Sequence, residues 1–111
     1  MAIPHAQPGE VVDIRPLGAN LATTQTRTLV KGENIEVIRL IVPAGKDISE
    51  HRAKGELVVQ CLEGHVDFTA MGKTQHLKAG ELLYLPTGLP HTVKGIENAS
   101  LLLTILFPKH G

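Results

Sequence analysis

Apolar residues occur along this chain in short runs, separated by glycine, proline, asparagine and aspartate. Runs of this length between turn-forming residues are typical of many short β-strands. No long window shows the i, i+3, i+4 apolar spacing of an amphipathic helix. The pattern therefore predicts an all-β sandwich or barrel. The predicted strands are residues 11–14, 21–30, 35–42, 56–62, 65–71, 74–77, 82–85, 91–93 and 100–107.

Two of these strands are apolar at both odd and even positions. They are "IEVIRLIV" at residues 35–42 and the strand at 100–107, which contains "LLLTILF". A strand with one face in the core and one in water should alternate instead. The outer face therefore needs a cover, either the chain's own N-terminal segment or a second subunit. We predict a homodimer, because small sandwiches often close such faces symmetrically.

Length and charge limit the classes of function. The 111 residues fit one domain, spanning 1–111, with a core large enough to fold alone. Lysine plus arginine equals aspartate plus glutamate, at 11 each, so composition imposes no basic patch. Tyr84, Phe68 and Phe107 are the only aromatic residues and Trp is absent, which leaves few rings to stack on bases. We predict no nucleic-acid partner.

Membrane and redox signals are also weak. The N-terminal "MAIPHAQPGE" lacks the basic and apolar regions of a signal peptide, and "LLLTILF" is too short to span a bilayer. Cys61 is the single cysteine, so neither an intrachain disulfide nor a CxxC motif can form. These features predict a cytoplasmic protein with no membrane partner.

Two spaced motifs carry the strongest functional signal. In the first, Gly45 is followed by five residues and His51, and the stretch "SEHRAKGELVVQCLEG" then ends at Gly64. In the second, Gly80 is followed by five residues and "PTGLPH", which ends at His91. This spacing resembles the two motifs of the cupin family, at about 45–64 and 80–95. The resemblance implies a jelly-roll β-barrel or sandwich of antiparallel strands.

The metal site that the resemblance implies is incomplete. Cupins use two histidines and a glutamate of the first motif and the histidine of the second. His51 and His91 match, whereas Ala53 replaces the other histidine and Leu57 replaces the glutamate. Neither replacement offers a lone pair, and sites for Fe, Mn or Zn normally use three or more side-chain ligands. We therefore expect no metal cofactor.

One alternative would restore a metal site. Glu56 precedes the family's carboxylate position by one residue, so strand alternation points it away from Leu57. A β-bulge near Gly55 could turn it inward. His51, His91 and Glu56 would then form a two-histidine, one-carboxylate site for Mn, Fe, Ni or Zn.

The mouth of the barrel is the expected ligand site. Two imidazoles in an apolar cup can hydrogen-bond a small anionic or carbonyl-bearing compound. The favoured hypothesis is a small-molecule-binding protein that is non-catalytic or weakly catalytic. Its partners are a small organic ligand and a second copy of the chain. The predicted pocket residues are His51, His91, Ala53, Leu57, Val59 and Tyr84.

Two enzymatic alternatives remain open. One is a metal-dependent oxygenase or isomerase that uses the set with Glu56. The other is a metal-free acid–base isomerase or epimerase-like enzyme, with His51 or His91 as base and Tyr84 as acid. His65 and His76 are predicted to face solvent, and the charged "SEHRAKGE" stretch is predicted to be a solvated turn.

Overall fold

The computed structural model describes residues 5–52 and 54–108, and for residues 49–52 it describes the backbone alone. Within these ranges the chain forms nine strands and one short 3₁₀ helix, Gly18–Thr23. In chain order the strands are β1 (Arg27–Lys31), β2 (Ile35–Val42), β3 (Asp47–Arg52), β4 (Glu56–Glu63), β5 (His65–Ala70), β6 (Lys73–Lys78), β7 (Leu82–Leu85), β8 (Pro90–Gly95) and β9 (Ala99–Leu106). No helix in these ranges has the length and hydropathy needed to cross a membrane.

The strands form two sheets. One has five strands in the order β1-β2-β9-β4-β7, and the other has four in the order β3-β8-β5-β6. Every pairing between neighbouring strands is antiparallel. The predicted all-β jelly roll of antiparallel strands is confirmed.

The core lies between the sheets. Strand β4 shows the alternation most clearly, because Leu57, Val59 and Cys61 are buried while the residues between them are more exposed. From the opposite sheet, Val66 and Phe68 of β5 enter the same layer. The rest of the core is Val42, Leu77, Leu85, Val93, Ala99 and Leu101.

The N-terminal quarter differs from the prediction. Residues 11–14 form no strand, and the segment predicted as a strand at 21–30 begins in the 3₁₀ helix and becomes a strand only at Arg27. Ahead of β1, the hydroxyl of Thr26 accepts a hydrogen bond from the N–H of Ile41 in β2 at 2.9 Å. Leu21 of the 3₁₀ helix is buried, and the N–H of Ala6 donates to the carbonyl of Leu29 in β1 at 2.8 Å.

Strand β3 was missed, and the prediction of a solvated turn through residues 49–52 was wrong. Its sequence, "DISEHR", is mostly charged and has Ile48 as its only large aliphatic residue. The sheet order places β3 at an edge. Edge strands tolerate charged side chains, which hinder pairing with other chains. Strand β3 therefore lacks the hydrophobic alternation by which a strand is identified in a sequence.

A buried polar group fastens the N-terminal segment to the sheet. Glu63, at the end of β4, accepts hydrogen bonds from the N–H groups of Leu17 and Gly18 and from the hydroxyl of Ser100. Arg39 of β2 is 5% exposed and donates to Glu63 at 3.2 Å and to the carbonyl of Arg15 at 2.8 Å. The N-terminal segment therefore covers part of the outer face of the five-stranded sheet.

Candidate functional site

A cavity of about 440 Å³ lies between the two sheets. Its volume falls within the range typical of small-molecule sites. Most of its wall is apolar, formed by Ile38, Leu40, Ile48, Leu57, Phe68, Val93, Leu103, Ile105 and Phe107. Polar side chains come from Thr26, Glu36, Lys54 and His91. Thr26 and Lys54 are exposed, so they mark where the cavity opens to solvent.

His91 enters this cavity from the start of β8. The preceding turn contains Gly88, whose φ of +82° belongs to the left-handed region that glycine adopts without steric cost. The imidazole stacks on Phe68 with ring centroids 5.2 Å apart and planes 14° apart. Its Nδ1 also lies 3.4 Å from the carbonyl oxygen of Leu89. The turn and the phenyl ring together hold the imidazole against the cavity wall.

The backbone brings the two motif histidines together. His51 of β3 and His91 of β8 are directly opposite partners in the antiparallel pairing. The register shifts between Ile48 and His51, and the pairing of β4 with β9 is regular from Glu56 to Cys61. The side chain of His51 and the whole of Ala53 lie outside the described part of the chain.

Leu57 and Val59 face inward as predicted, but at different depths. Leu57 is 2% exposed and lines the cavity. Val59 is fully buried in the hydrophobic core and does not line the cavity. The turn after β4 depends on Gly64, which has a φ of +80°, and an added Cβ would come within 2.1 Å of the carbonyl oxygen of Asn98.

Glu56 and Tyr84 lie outside the cavity. The regular register of β4 with β7 pairs Leu57 with Leu85 and Val58 with Tyr84, so no bulge turns Glu56 inward. Both side chains are exposed on the outer face, where the Tyr84 hydroxyl donates to Oε1 of Glu56 at 3.0 Å. This hydrogen bond, together with burial and the carboxylate charge, raises the pKa of Tyr84. Tyr84 therefore does not line the cavity of His91, although it lines a separate pocket with Phe68 and Leu83. Glu56 points away from Leu57, as strand alternation predicts, and the alternative in which a bulge turns it inward is corrected.

Two charged cavity residues were missed at the sequence level. Glu36 shares strand parity with Ile38 and Leu40, so alternation within "IEVIRLIV" could have identified it as inward-facing. Its Oε1 lies 3.3 Å from the Nζ of Lys31. Lys54 belongs to the stretch that is predicted to be a solvated turn; its side chain is exposed, and it also lines the cavity. No signal in the linear pattern could have identified Lys54.

A second group of polar side chains lies on the outer face of the four-stranded sheet. His65, Asp67 and His76 each offer a ligand atom, and these three atoms lie within 4.8 Å of one another. The side chain of His76 is 68% exposed, as predicted, whereas that of His65 is only 22% exposed. The prediction that His65 faces solvent is therefore only partly correct.

Comparison with known proteins agrees with this architecture. A family model described as "Cupin domain" matches residues 38–107, which is more than half of the chain. No curated protein matches the sequence. A conserved protein of unknown function from Streptococcus pyogenes is similar in structure, with 23% identity and a TM-score of 0.75. That alignment covers 99% of this chain and 97% of the other.

Two further structures share the fold. A cupin superfamily protein from Desulfitobacterium hafniense has 17% identity and a TM-score of 0.74, over 88% of this chain and 95% of that one. A salicylate 1,2-dioxygenase from Pseudaminobacter salicylatoxidans has 19% identity and a TM-score of 0.62, over 65% of this chain and 21% of the enzyme. At these identities the similarity extends to the fold alone.

Proposed function

The chain belongs to the cupin family, and from that premise we propose that it binds a small organic molecule with a mainly apolar body and one anionic or carbonyl end. The observation that supports this most directly is the cavity of about 440 Å³ with its largely aliphatic wall and His91. Burial of the ligand's apolar body against this wall would supply most of the affinity. The polar end would determine its orientation.

His91 and Lys54 are the groups we assign to the polar end of the ligand. Both line the cavity, and a protonated imidazole or an ammonium group can donate to a carboxylate or carbonyl oxygen. Glu36 lines the same cavity and would repel an anion close to it. We therefore propose that the ligand's oxygen atoms lie toward His91 and its apolar part lies among Ile38, Leu103 and Ile105.

The metal chemistry of the family fits the described cavity residues poorly. Leu57 occupies the position at which the motif calls for a glutamate, and it is an apolar wall residue that is 2% exposed. Glu56, the substitute carboxylate, is engaged with Tyr84 on the outer face. We therefore assign no metal-dependent step to this cavity. Tyr84 is likewise not assigned as the acid of a metal-free reaction, because its hydroxyl is on the outer face and does not line this cavity.

Ligand-induced thermal shifts in the presence of a chelator test the proposal. The probes are benzoate, salicylate and octanoate, with benzyl alcohol and octanol as neutral counterparts. The carboxylates should raise the Tm in a saturable manner, because they bind the folded state only, and the alcohols should raise it less. His91→Ala should remove the advantage of the carboxylates, and His5→Ala, at an exposed N-terminal position, should not.

A matched pair of leucine variants distinguishes ligand binding in the cavity from ligand binding on the protein surface. Leu103 lines the cavity, and its neighbour Leu102 points to the outer face. Leu103→Phe should narrow the cavity and therefore reduce the Tm shift that the bulkier probes produce. Leu102→Phe should leave that Tm shift unchanged. The proposal is wrong if none of the carboxylates shifts the Tm, or if His91→Ala and Leu103→Phe respond like the wild type.

A further inference from the structure

Three side chains suited to transition metals are adjacent on the outer face of the four-stranded sheet. His65 and Asp67 are two residues apart on β5, so they point to the same side of the strand. His76 of β6 is directly opposite Asp67 in the antiparallel register. Val66, between them, and Phe68, after Asp67, point into the core. This group is therefore separated from the cavity of His91 by the thickness of the sheet.

The ligand atoms are close enough to share one ion. Nδ1 of His76 lies 2.5 Å from Oδ1 of Asp67, and Nε2 of His65 lies 4.0 Å from the same oxygen. The two imidazole rings meet edge to face, with centroids 5.7 Å apart and planes 74° apart. Bonds of about 2.0–2.2 Å to zinc place tetrahedral ligand atoms slightly more than 3 Å apart. Small side-chain rotations would bring His65 to that distance from Asp67 and would move His76 slightly farther from Asp67.

His65 provides a second, independent indication. Its Nε2 is buried, and no hydrogen-bond partner for it is present among the described residues. A buried polar atom normally has a partner in the folded state, and one without a partner needs an explanation. This nitrogen belongs to the same three-residue group as Asp67 and His76. A bound cation would give it the missing partner.

We propose that His65, Asp67 and His76 form a binding site for a divalent transition metal, with Zn²⁺, Cu²⁺ and Ni²⁺ as the matching ions. Two imidazoles and one carboxylate suit these metals, whereas Mg²⁺ and Ca²⁺ prefer several oxygen ligands. Lys78 is opposite His65 across the pairing with β6, and Lys94 is opposite Asp67 across the pairing with β8. These lysines repel every divalent cation alike, so the preference for transition metals rests on the two imidazole ligands.

The position of the site indicates what the metal would do. Strand β6 is an edge strand of its sheet, opposite the edge formed by β3, and it pairs with β5. A metal held by two residues of β5 and one of β6 would fix the edge strand to the sheet. Binding to the folded state should raise the Tm as metal concentration increases.

Zinc titration of the tag-free chain, by calorimetry and thermal shift, tests the site. The wild type should bind one equivalent of Zn²⁺ at micromolar concentration, and Mg²⁺ should not compete. Co²⁺ in place of Zn²⁺ should give visible absorption bands of a site with nitrogen and oxygen ligands. His76→Gln changes an exposed side chain and should weaken binding at least tenfold, and Asp67→Asn should do the same. His65→Gln is the riskier variant because the ring is half-buried, so its fold is checked by circular dichroism.

The control variants lie on other parts of the molecule. His91→Ala removes the cavity histidine and His5→Ala removes an exposed terminal one, and both should bind Zn²⁺ like the wild type. The proposal is overturned if the wild type binds no Zn²⁺ at micromolar concentration. It is also overturned if His76→Gln and Asp67→Asn retain full affinity, or if His91→Ala abolishes binding.

Discussion

The imidazole of His91 stacks on the phenyl ring of Phe68, with centroids 5.2 Å apart and planes 14° apart. Phe68 is 2% exposed and belongs to both the core and the cavity wall. The second-motif histidine is therefore held by a core residue of a neighbouring strand. This contact connects the stability of the barrel to the geometry of the proposed ligand site.

Replacing Phe68 by leucine should lower the free energy of unfolding by about 1–2 kcal/mol, because the stack and part of the buried apolar area are lost. It should also shift the NMR resonances of the His91 ring, which now lies beside an aromatic face. Urea unfolding and a proton–nitrogen spectrum of the histidine rings measure the two effects. Tyr84→Leu is the control, at a side chain that is 55% exposed. It should change neither the free energy of unfolding nor the His91 resonances by much. Unchanged His91 resonances in Phe68→Leu would contradict the stacking.

Replacing Glu63 by glutamine should lower the free energy of unfolding by about 2–3 kcal/mol, because hydrogen bonds to a charged acceptor are weakened and the Arg39 guanidinium loses its counter-charge. The N-terminal segment should lose its hydrogen-bonded structure first, because Glu63 accepts hydrogen bonds from the N–H groups of Leu17 and Gly18. Hydrogen exchange at those amides measures this. Glu33→Gln, at an exposed position, is the control. Equal stability of the two variants would contradict the role of Glu63.

Stability should also depend on the protonation of Glu63. Burial by itself raises the pKa of Glu63, but the N–H of Leu17, the hydroxyl of Ser100 and further donors outweigh it, and the pKa is lowered from 4.5. A carboxylate with a lowered pKa contributes stability that is complete above its unfolded pKa. That stability is lost as pH falls through the folded pKa. The difference in unfolding free energy between wild type and Glu63→Gln should therefore shrink below about pH 4.5. A constant difference across this range would be the contrary result.

The outer face of the five-stranded sheet should bind a second copy of the chain. Leu106 of β9 is 45% exposed and Leu82 of β7 is 62% exposed, beyond the part that the N-terminal segment covers. We expect light scattering to give a dimer mass at micromolar concentration. Leu102→Glu, on the outward side of β9, should give monomer, while Met71→Glu, in the β5–β6 turn, should not. A monomer mass for the wild type at every accessible concentration would refute the dimer.

Restoring the family's donors should restore a metal site in the cavity. Leu57→Glu combined with Ala53→His supplies the two ligands that the first motif lacks, and His51 and His91 are already opposite each other in the sheet. In a His76→Gln background, which disables the proposed surface site, this double variant should take up Mn, Fe, Ni or Zn and gain thermal stability. The buried carboxylate costs about 1–3 kcal/mol or more without metal, so metal is supplied during expression. No uptake by a folded variant would mean that the cavity departs from family geometry.

The sequence by itself determined the fold class and most of the strands. Short apolar runs bounded by turn-forming residues are local features, and β2 and β7 have the predicted bounds for that reason. The motif spacing also identified His91 and Leu57, which line the cavity. Strand β3 was missed because an edge strand can be charged on both faces.

Only the tertiary structure decided which side chains meet. Asp67 and His76 are nine residues apart along the chain, and the register of one hairpin places them in contact. Glu63 meets Leu17 because the N-terminal segment returns across the sheet, over a separation of 46 residues. Strand register has a period of two, so a shift of one residue would move Glu56 and Tyr84 from the outer face to the inner one. Local propensity does not fix that register; the packing of both sheets around one core does.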